Sequence, residues 1–231
     1  EPYHVWVSEI MLQQTRVEAV VGYYDRFLKA LPDIRALADA PEDQLMKLWE
    51  GLGYYSRARN LQKAARQIME RHGGTFPRDT ADIRALAGIG DYTAGAIGSI
   101  CFDYPTAAVD GNVLRVVSRV TGSDAPIDKP ETKKKIGVDL SAVYPAGHCG
   151  DFTQSLMELG ATVCTPRGAR CGVCPLEDIC ALIDKGFRPC DIMILVRGAT
   201  DGAKVAAELL DVVANPFQGS DHIGVTGVAG V

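Results

Sequence analysis

The chain has 231 residues, 47% of them hydrophobic, and a formal net charge of −5. This length can bury one large core or two small ones, and the charged and apolar residues occur in ordinary globular proportions. The acidic balance argues weakly against a nucleic-acid partner, because nucleic-acid binders often carry a basic excess.

The sequence has no signal-peptide pattern and no apolar run long enough to span a bilayer. We therefore expect no membrane partner and a reducing cytosol, where thiolates bind metals rather than pair as disulfides. The chain begins Glu1-Pro2-Tyr3 without a Met, and we expect it to be a fragment whose first segment is absent.

Helical periodicity dominates the chain to about residue 185 and predicts an all-α fold. Apolar residues recur at steps of three and four in segments 17–31, 61–69, 113–120 and 156–163. In the first segment they predict a single buried face that runs from Val17 and Val21 to Leu31. The pair Gly73-Gly74 is expected to end the second helix.

After Phe187 the character of the sequence changes. Residues 191–196 read as a short buried strand, residues 201–213 as an amphipathic helix, and residues 215–231 are Gly-rich. We assign this tail no role.

Residues 86–97, LAGIGDYTAGAI, place the turn Gly88-Ile89-Gly90 between two helical stretches. Glycines allow a tight turn and a close approach of the backbone to a ligand, and N–H groups at the start of the next helix can hold a phosphate. The pattern is typical of a helix-hairpin-helix motif, which grips the DNA backbone without reading sequence. The alternative is an ordinary helix–helix turn.

Twenty residues beyond Gly90 the chain reads Val109-Asp110-Gly111-Asn112-Val113. An Asp directly before a helix is usually an N-cap, and taken alone Asp110 would be interpreted that way.

Four cysteines follow the last helical segment with the spacing Cys164-x6-Cys171-x2-Cys174-x5-Cys180. Four thiolates in one short loop can close around zinc or an iron–sulfur cluster, and the spacing alone does not separate the two. A disulfide framework fits poorly, since nothing else indicates a small secreted scaffold. We expect the remaining cysteines to be buried free thiols: Cys101, Cys149 and Cys190.

Together the hairpin, Asp110 and the cysteines resemble the helix-hairpin-helix DNA glycosylases. Residues 8–15, SEIMLQQT, and residues 51–60, GLGYYSRARN, resemble the MutY adenine glycosylases, and the resemblance covers residues 2 to about 182. It implies a [4Fe–4S] cluster on the four cysteines. It also implies a six-helix module with the hairpin at 1–107 and a cluster domain at 108–186 that lacks its N-terminal helix. Residues 187–231 do not resemble the family's C-terminal recognition domain.

The resemblance implies roles for the catalytic residues. Glu9 would protonate the leaving adenine, with a pKa raised by burial, and Asp110 would stabilise the cationic sugar. Tyr92 and Asn112 would orient this pair. Tyr92 stands where bifunctional relatives carry a Schiff-base Lys, and no Lys lies between Lys63 and Lys129. A monofunctional enzyme is therefore implied.

Further positions match DNA contacts of the family. The implied roles are insertion into the duplex, contact with the base opposite the adenine, grip on the backbone and contact with the adenine edge. The residues are Gln13, Gln14, Thr15, Leu52, Tyr54, Gly88, Gly90 and Gln154. We expect Tyr55, unlike Tyr54, to be a core residue.

The expected partner is double-stranded DNA with adenine mispaired to 8-oxoguanine or guanine. We expect a monomer in the bacterial cytoplasm, associated with the nucleoid. Two alternatives remain open: a thymine-mismatch or endonuclease III-like glycosylase, and a non-catalytic DNA-binding module that needs neither carboxylate.

Overall fold

The structure is a computed structural model that describes residues 1–181 of the chain. Within this range every regular element is helical, as the periodicity predicts. No helix in the described range is long and apolar enough to cross a membrane. The strand and helix predicted beyond residue 190, and Cys190 itself, lie outside the described residues.

The chain divides into two compact units, Glu1–Phe102 and a second unit that begins at Asp103. The predicted boundary lies five residues later, after residue 107. The first unit contains seven helices: α1 (Pro2–Leu12), α2 (Val17–Ala30), α3 (Ile34–Asp39), α4 (Glu42–Trp49), α5 (Ser56–His72), α6 (Thr80–Arg84) and α7 (Asp91–Phe102).

Local sequence explains where these helices begin and end. The carboxylate of Asp33 accepts a hydrogen bond from the N–H of Ala36 at the start of α3, and Asp79 does the same for Ala81 and Asp82 at the start of α6. Helix α5 ends as predicted at Gly73, whose φ of 61° is left-handed, and the N–H of Gly74 returns to the carbonyl of Ile68.

The core of the first unit contains large aromatic side chains. Trp6, Phe27 and Trp49 are fully buried, with edge-to-face contacts between Phe27 and Trp49 and between Trp6 and Phe76. The predicted apolar face of α2 is only partly correct. Val20 and Phe27 are buried, but Val17 and Val21 are 62% and 53% exposed, because that side of the helix faces away from the core.

In the described part of the second unit the helices are α8 (Gly111–Thr121), α9 (Pro130–Ser141) and α10 (Cys149–Glu158). A π-helical turn at Leu159–Val163 continues α10, and two short 3₁₀ turns, Cys171–Val173 and Glu177–Ile179, shape the cysteine loop. The apolar core lies between α8, α9 and α10 and includes Val116, Phe152 and Leu156.

Candidate active site and cysteine loop

Glu9 lies near the end of α1 and is half-buried. Its neighbours Ile10 and Met11 are in the apolar core, and α1 packs against α2, α5 and α7. The sequence thus places an ionisable carboxyl group at the edge of an apolar region, a setting that suits a general acid.

The Gly88-Ile89-Gly90 turn connects α6 to α7 as predicted. Gly88 has a φ of 76°, and a Cβ there would lie 2.8 Å from Cβ of Asn60 on α5. The N–H of Ala87 donates to Oε1 of Gln67, also on α5, at 2.8 Å. Helix α5 therefore holds the hairpin from one side. A Cβ at Gly90 would meet no atom within 4 Å, so the backbone is open to a ligand there.

Tyr92 lies in the first turn of α7, directly after the hairpin, and is half-buried. Asp91 before it forms an ion pair with Arg84 of α6. Since α7 packs against α1, Tyr92 and Glu9 lie on neighbouring helices of the first unit.

Two short segments of the first unit carry the residues predicted to enter the duplex. Gln14 is exposed and Gln13 and Thr15 are half-buried after the end of α1. Tyr54, between α4 and α5, is 66% exposed, whereas Leu52 is buried at 6%. The prediction that Tyr55 is a core residue is wrong, because its side chain is 39% exposed.

Asp110 is both an N-cap and the centre of a polar network in the second unit. One carboxylate oxygen accepts from the N–H of Val113 at 2.7 Å, and the other accepts from Nδ2 of Asn112 at 3.0 Å. The N-terminus of α8 adds the positive end of the helix dipole. The cap and the predicted site residue are thus the same group, with Asn112 directly beside it.

Arg115 fixes the other side of Asn112 and connects it to the cysteine loop. Its guanidinium donates to Oδ1 of Asn112 at 2.7 Å, to the carbonyl of Gly160 at 2.7 Å and to the carbonyl of Cys164 at 2.7 Å. The side chain is buried, and burial lowers the pKa of its guanidinium. Arg115 therefore holds the Asn112 side chain in the orientation in which its amide donates to Asp110.

Gly160 allows α8 to approach the π-helical turn closely. A Cβ at this position would lie 2.6 Å from Cβ of Asn112 and 3.0 Å from its Cα. By contrast Gln154, on α10, is exposed and donates to the carbonyl of Gly150 in its own helix.

The side chains of the four loop cysteines, none in a disulfide, line one cavity with apolar residues such as Val120, Leu159 and Leu176. Burial, with a smaller contribution from the neighbouring loop cysteines, raises the pKa of the Cys174 thiol to about 11. Thiolates gathered in an apolar cavity repel one another unless a cation lies between them, so this donor set fits a thiophilic metal centre.

Within residues 1–181 no three His, Cys, Asp or Glu side chains converge closely enough to hold a single metal ion. Arg119, 3% exposed, donates from Nη1 to Sγ of Cys164 at 3.3 Å and to the carbonyl of Thr165 at 2.8 Å.

Residues 7–140 match the family described as HhH-GPD superfamily base excision DNA repair protein. The chain belongs to this superfamily. The match contains the hairpin, Glu9 and Asp110, and ends before the cysteine loop, so the two predicted carboxylates lie in the part of the chain that defines the superfamily.

Several relatives are named adenine DNA glycosylase. Identity is 48% over 180 residues with the protein of Mus musculus, 47% over 180 residues with that of Homo sapiens and 41% over 179 residues with that of Buchnera aphidicola subsp. Baizongia pistaciae. These alignments cover 77–78% of this chain but 35%, 33% and 50% of the relatives. The chain therefore spans a third to half of their length.

Solved structures confirm the fold class. A thermostable thymine-DNA glycosylase is 29% identical with a TM-score of 0.73, covering 80% of this chain and 85% of that one. An endonuclease III–DNA complex, 23% identical with a TM-score of 0.68 over 80% of this chain and 86% of that one, shares the fold. The all-α helix-hairpin-helix glycosylase architecture is thus shown.

The structure separates the predicted residues by unit. Glu9, Tyr92 and the two segments predicted to enter the duplex belong to Glu1–Phe102. Asp110, Asn112, Gln154 and the cysteines belong to the second unit. Sequence reasoning missed Arg57, Asn60, Arg115, Arg119 and Gly160. Asn60 ends the GLGYYSRARN motif. Arg115 and Arg119 interrupt the apolar stripe of α8, and an Arg on an apolar face could have indicated a buried polar contact.

Proposed function

We propose that the chain is a monofunctional adenine DNA glycosylase that hydrolyses the N-glycosidic bond of adenine mispaired with 8-oxoguanine or guanine. The observation that carries the proposal is the 47–48% identity over 180 residues with mammalian proteins named adenine DNA glycosylase. Both carboxylates lie within residues 7–140, which match the superfamily. Superfamily membership supports base excision as the reaction, and the names of these relatives support adenine as the nucleobase that is removed.

Glu9 is proposed as the general acid. Adenine leaves poorly as an anion, so a proton must reach its ring nitrogen N7 as the glycosidic bond breaks. The enzyme must first turn the nucleotide out of the stack, which brings the base to a half-buried carboxyl group on α1. Tyr92, on the neighbouring α7, is proposed to orient this group.

Asp110 is proposed as the anion that stabilises the oxocarbenium-like sugar, in the manner of the second carboxylate of a glycoside hydrolase. The Val113 N–H and the Asn112 amide hold its carboxylate in one orientation, which supports this role. Arg115 in turn fixes Asn112. A carboxylate that is held before substrate arrives requires no reorganisation in the transition state.

The four cysteines of the loop are proposed to hold a [4Fe–4S] cluster. The cavity that all four cysteines line together with apolar residues suits a group that thiolates ligate, and the iron and zinc content of the purified protein separates the cluster from zinc. When bound, the cluster supplies a cross-link that closes the loop.

Position 92 decides whether the strand is cut. A bifunctional glycosylase needs an amine that forms a Schiff base with the sugar. Tyr92 offers a phenol, and no Lys lies between Lys63 and Lys129. The proposed product is therefore an intact strand with an abasic site, and borohydride should trap no protein–DNA adduct.

A thymine-mismatch glycosylase is the second candidate, favoured by the structural likeness to the thermostable thymine-DNA glycosylase. One assay separates the two. The full chain is incubated with duplexes that carry A·8-oxoG, A·G or T·G, and alkali then cuts at any abasic site. We expect cleavage of the adenine strand only, and cleavage of the T·G duplex alone would replace the proposal.

Two variants test the carboxylates and exclude a non-catalytic module. Glu9→Gln and Asp110→Asn should each lower the single-turnover rate by at least 100-fold, about the scale of a general acid–base contribution, and leave DNA binding largely intact. Asn is also a good N-cap, so Asp110→Asn should leave α8 stable. If either variant excises adenine at near the parental rate, the assignment of that residue is wrong.

A further inference from the structure

We infer that Arg57 is a positioning residue, which sets the backbone of the two segments that carry Gln14 and Tyr54 and presents these side chains to DNA as one preformed wedge. The inference rests on the proposed function. All the residues involved lie in the first unit, Glu1–Phe102.

One guanidinium binds both segments. Nη1 of Arg57 donates to the carbonyls of Ile10, Met11 and Gln13 at 2.9, 3.1 and 2.6 Å. Nη2 donates to the carbonyls of Leu52 and Gly53 at 2.9 and 3.3 Å. The side chain that begins on α5 thus joins the end of α1 to the loop between α4 and α5.

The bonded carbonyls have a specific place in the chain. Gln14 and Tyr54 have φ values of 61° and 46°, and among residues 1–102 they are the only non-glycine residues with positive φ. The carbonyls of Gln13 and Gly53, one residue before each, both accept from Arg57. A left-handed backbone at a side-chain-bearing residue is strained and persists only where its surroundings fix it.

The surroundings of Arg57 keep the guanidinium in place. Its Cζ lies 5.5 Å from the centre of the Trp49 ring and 5.7 Å from that of the Tyr54 ring. Nε1 of the buried Trp49 donates to the carbonyl of Gly53 at 3.1 Å, which fixes the second segment again. Both side chains that the strained residues carry point outward, since Gln14 is exposed and Tyr54 is 66% exposed.

This arrangement is suited to insertion into a base stack. An inserting side chain performs best when its backbone is ordered before binding, because ordering a loop on binding weakens the complex. Arg57 is a better clamp than Lys would be, because its planar fork can reach two separate rows of carbonyls at once.

The test uses the full chain and compares Arg57→Gln and Arg57→Lys with Arg66→Gln and Arg66→Lys. Arg66 is the matched control, since it lies on the same helix and its Nε donates to one carbonyl, that of Ala38 at 3.0 Å, away from both segments. Circular dichroism and thermal unfolding first establish which variants fold.

Two measurements then report on the wedge. The first is the fluorescence of 2-aminopurine placed beside the base opposite the adenine, which rises when the stack opens. The second is the single-turnover excision rate at saturating enzyme. We expect Arg57→Gln to lose most of the fluorescence rise and to excise about 100-fold more slowly, the scale of a small misplacement in an active site. Arg57→Lys should fall between this variant and the parent.

Hydrogen exchange provides a readout that does not depend on DNA. In a folded Arg57 variant the amides of residues 13–16 and 52–55 should exchange faster, and those of α2 should not. Arg57 variants that match the Arg66 variants in fluorescence, rate and exchange would overturn the inference, as would failure of both Arg57 variants to fold. A parent chain that excises no adenine would instead refute the proposed function.

Discussion

The first unit buries aromatic side chains against one another, whereas the second buries two arginines against backbone carbonyls of the cysteine loop. Trp6, Phe27 and Trp49 fill the core of Glu1–Phe102, and in the second unit Arg115 and Arg119 are 8% and 3% exposed. Buried apolar area stabilises a fold wherever it occurs, but a buried cation needs every one of its acceptors in place.

The difference indicates which interactions keep each unit folded. Carbonyls in a loop hold their positions only if the loop itself is closed, and in the second unit that loop carries the four cysteines. We therefore expect the first unit to fold on its core alone, and the second to depend on whatever the cysteines bind. The predictions below test this contrast.

The largest expected effect is that of removing the proposed cluster. Oxidative loss of iron, or chelation, should abolish hydrogen-exchange protection of α8 and α10 and leave that of α1 and α5 near its original value. Metal binding contributes on the order of 10 kcal/mol in small structural sites, more than any single contact here. Equal loss of protection in both units would show that the contrast is wrong. The iron and zinc content of the purified protein shows which metal is bound.

Single core truncations should come next. Phe27→Ala should cost roughly 3–5 kcal/mol and Leu156→Ala roughly 2–5 kcal/mol of unfolding free energy, because each leaves a cavity in a fully buried site. Only Leu156→Ala should also lower the iron content, since Leu156 belongs to the core beneath the cysteine loop. Chemical denaturation with iron analysis of the same samples checks both, and iron loss in Phe27→Ala would contradict the contrast.

Much of this architecture could be predicted from the sequence, and the reasons are local. Periodicity gave the spans near α2, α5 and α8, Gly73 marked an end, and the Gly88-Ile89-Gly90 turn marked the hairpin. The exposure of Val17 and Val21 could not be predicted, because periodicity identifies an apolar face without showing how much of it a neighbour covers. The roles of Arg57, Arg115 and Gly160 depend on residues 40 or more positions away, which no local pattern contains.

Arg119 should have a smaller effect, on the reduction potential of the proposed cluster. Its Nη1 donates to Sγ of Cys164, and a positive donor beside a ligand sulfur stabilises the more reduced, more negative cluster. Arg119→Met should therefore lower the reduction potential and cost about 1.5–3 kcal/mol of stability, the range for hydrogen bonds to charged groups. Arg119→Lys should lie between Met and Arg. Voltammetry on DNA-free protein measures the potential, and an unchanged potential in Arg119→Met would exclude the sulfur contact as a determinant.

The smallest expected effect is on the rate of thiol alkylation, which one reagent measures in both units. Cys101 lies on α7 of the first unit and Cys149 at the start of α10 in the second, and burial raises the pKa of each thiol to about 11. Only the thiolate is alkylated, so at pH 8 both should react about 100-fold more slowly than an ordinary thiol of pKa near 9. The rate should rise about tenfold per pH unit until the pH reaches the raised pKa.

The sign of the linked stability change follows from the same shift. A thiol whose pKa is higher in the folded state holds its proton there after the unfolded chain has released it. Its contribution to the free energy of unfolding is therefore fully present below about pH 9 and is lost as the pH rises toward 11. Removing the proposed cluster should accelerate alkylation of Cys149 and not of Cys101, because only the second unit then opens. Peptide mass spectrometry of iodoacetamide-treated protein, with Cys101→Ser and Cys149→Ser as assignment controls, distinguishes the two sites. Equal acceleration at Cys101 and Cys149 would mean that the two units open together. The aromatic core of the first unit would then be insufficient to keep it folded without the cysteine loop of the second.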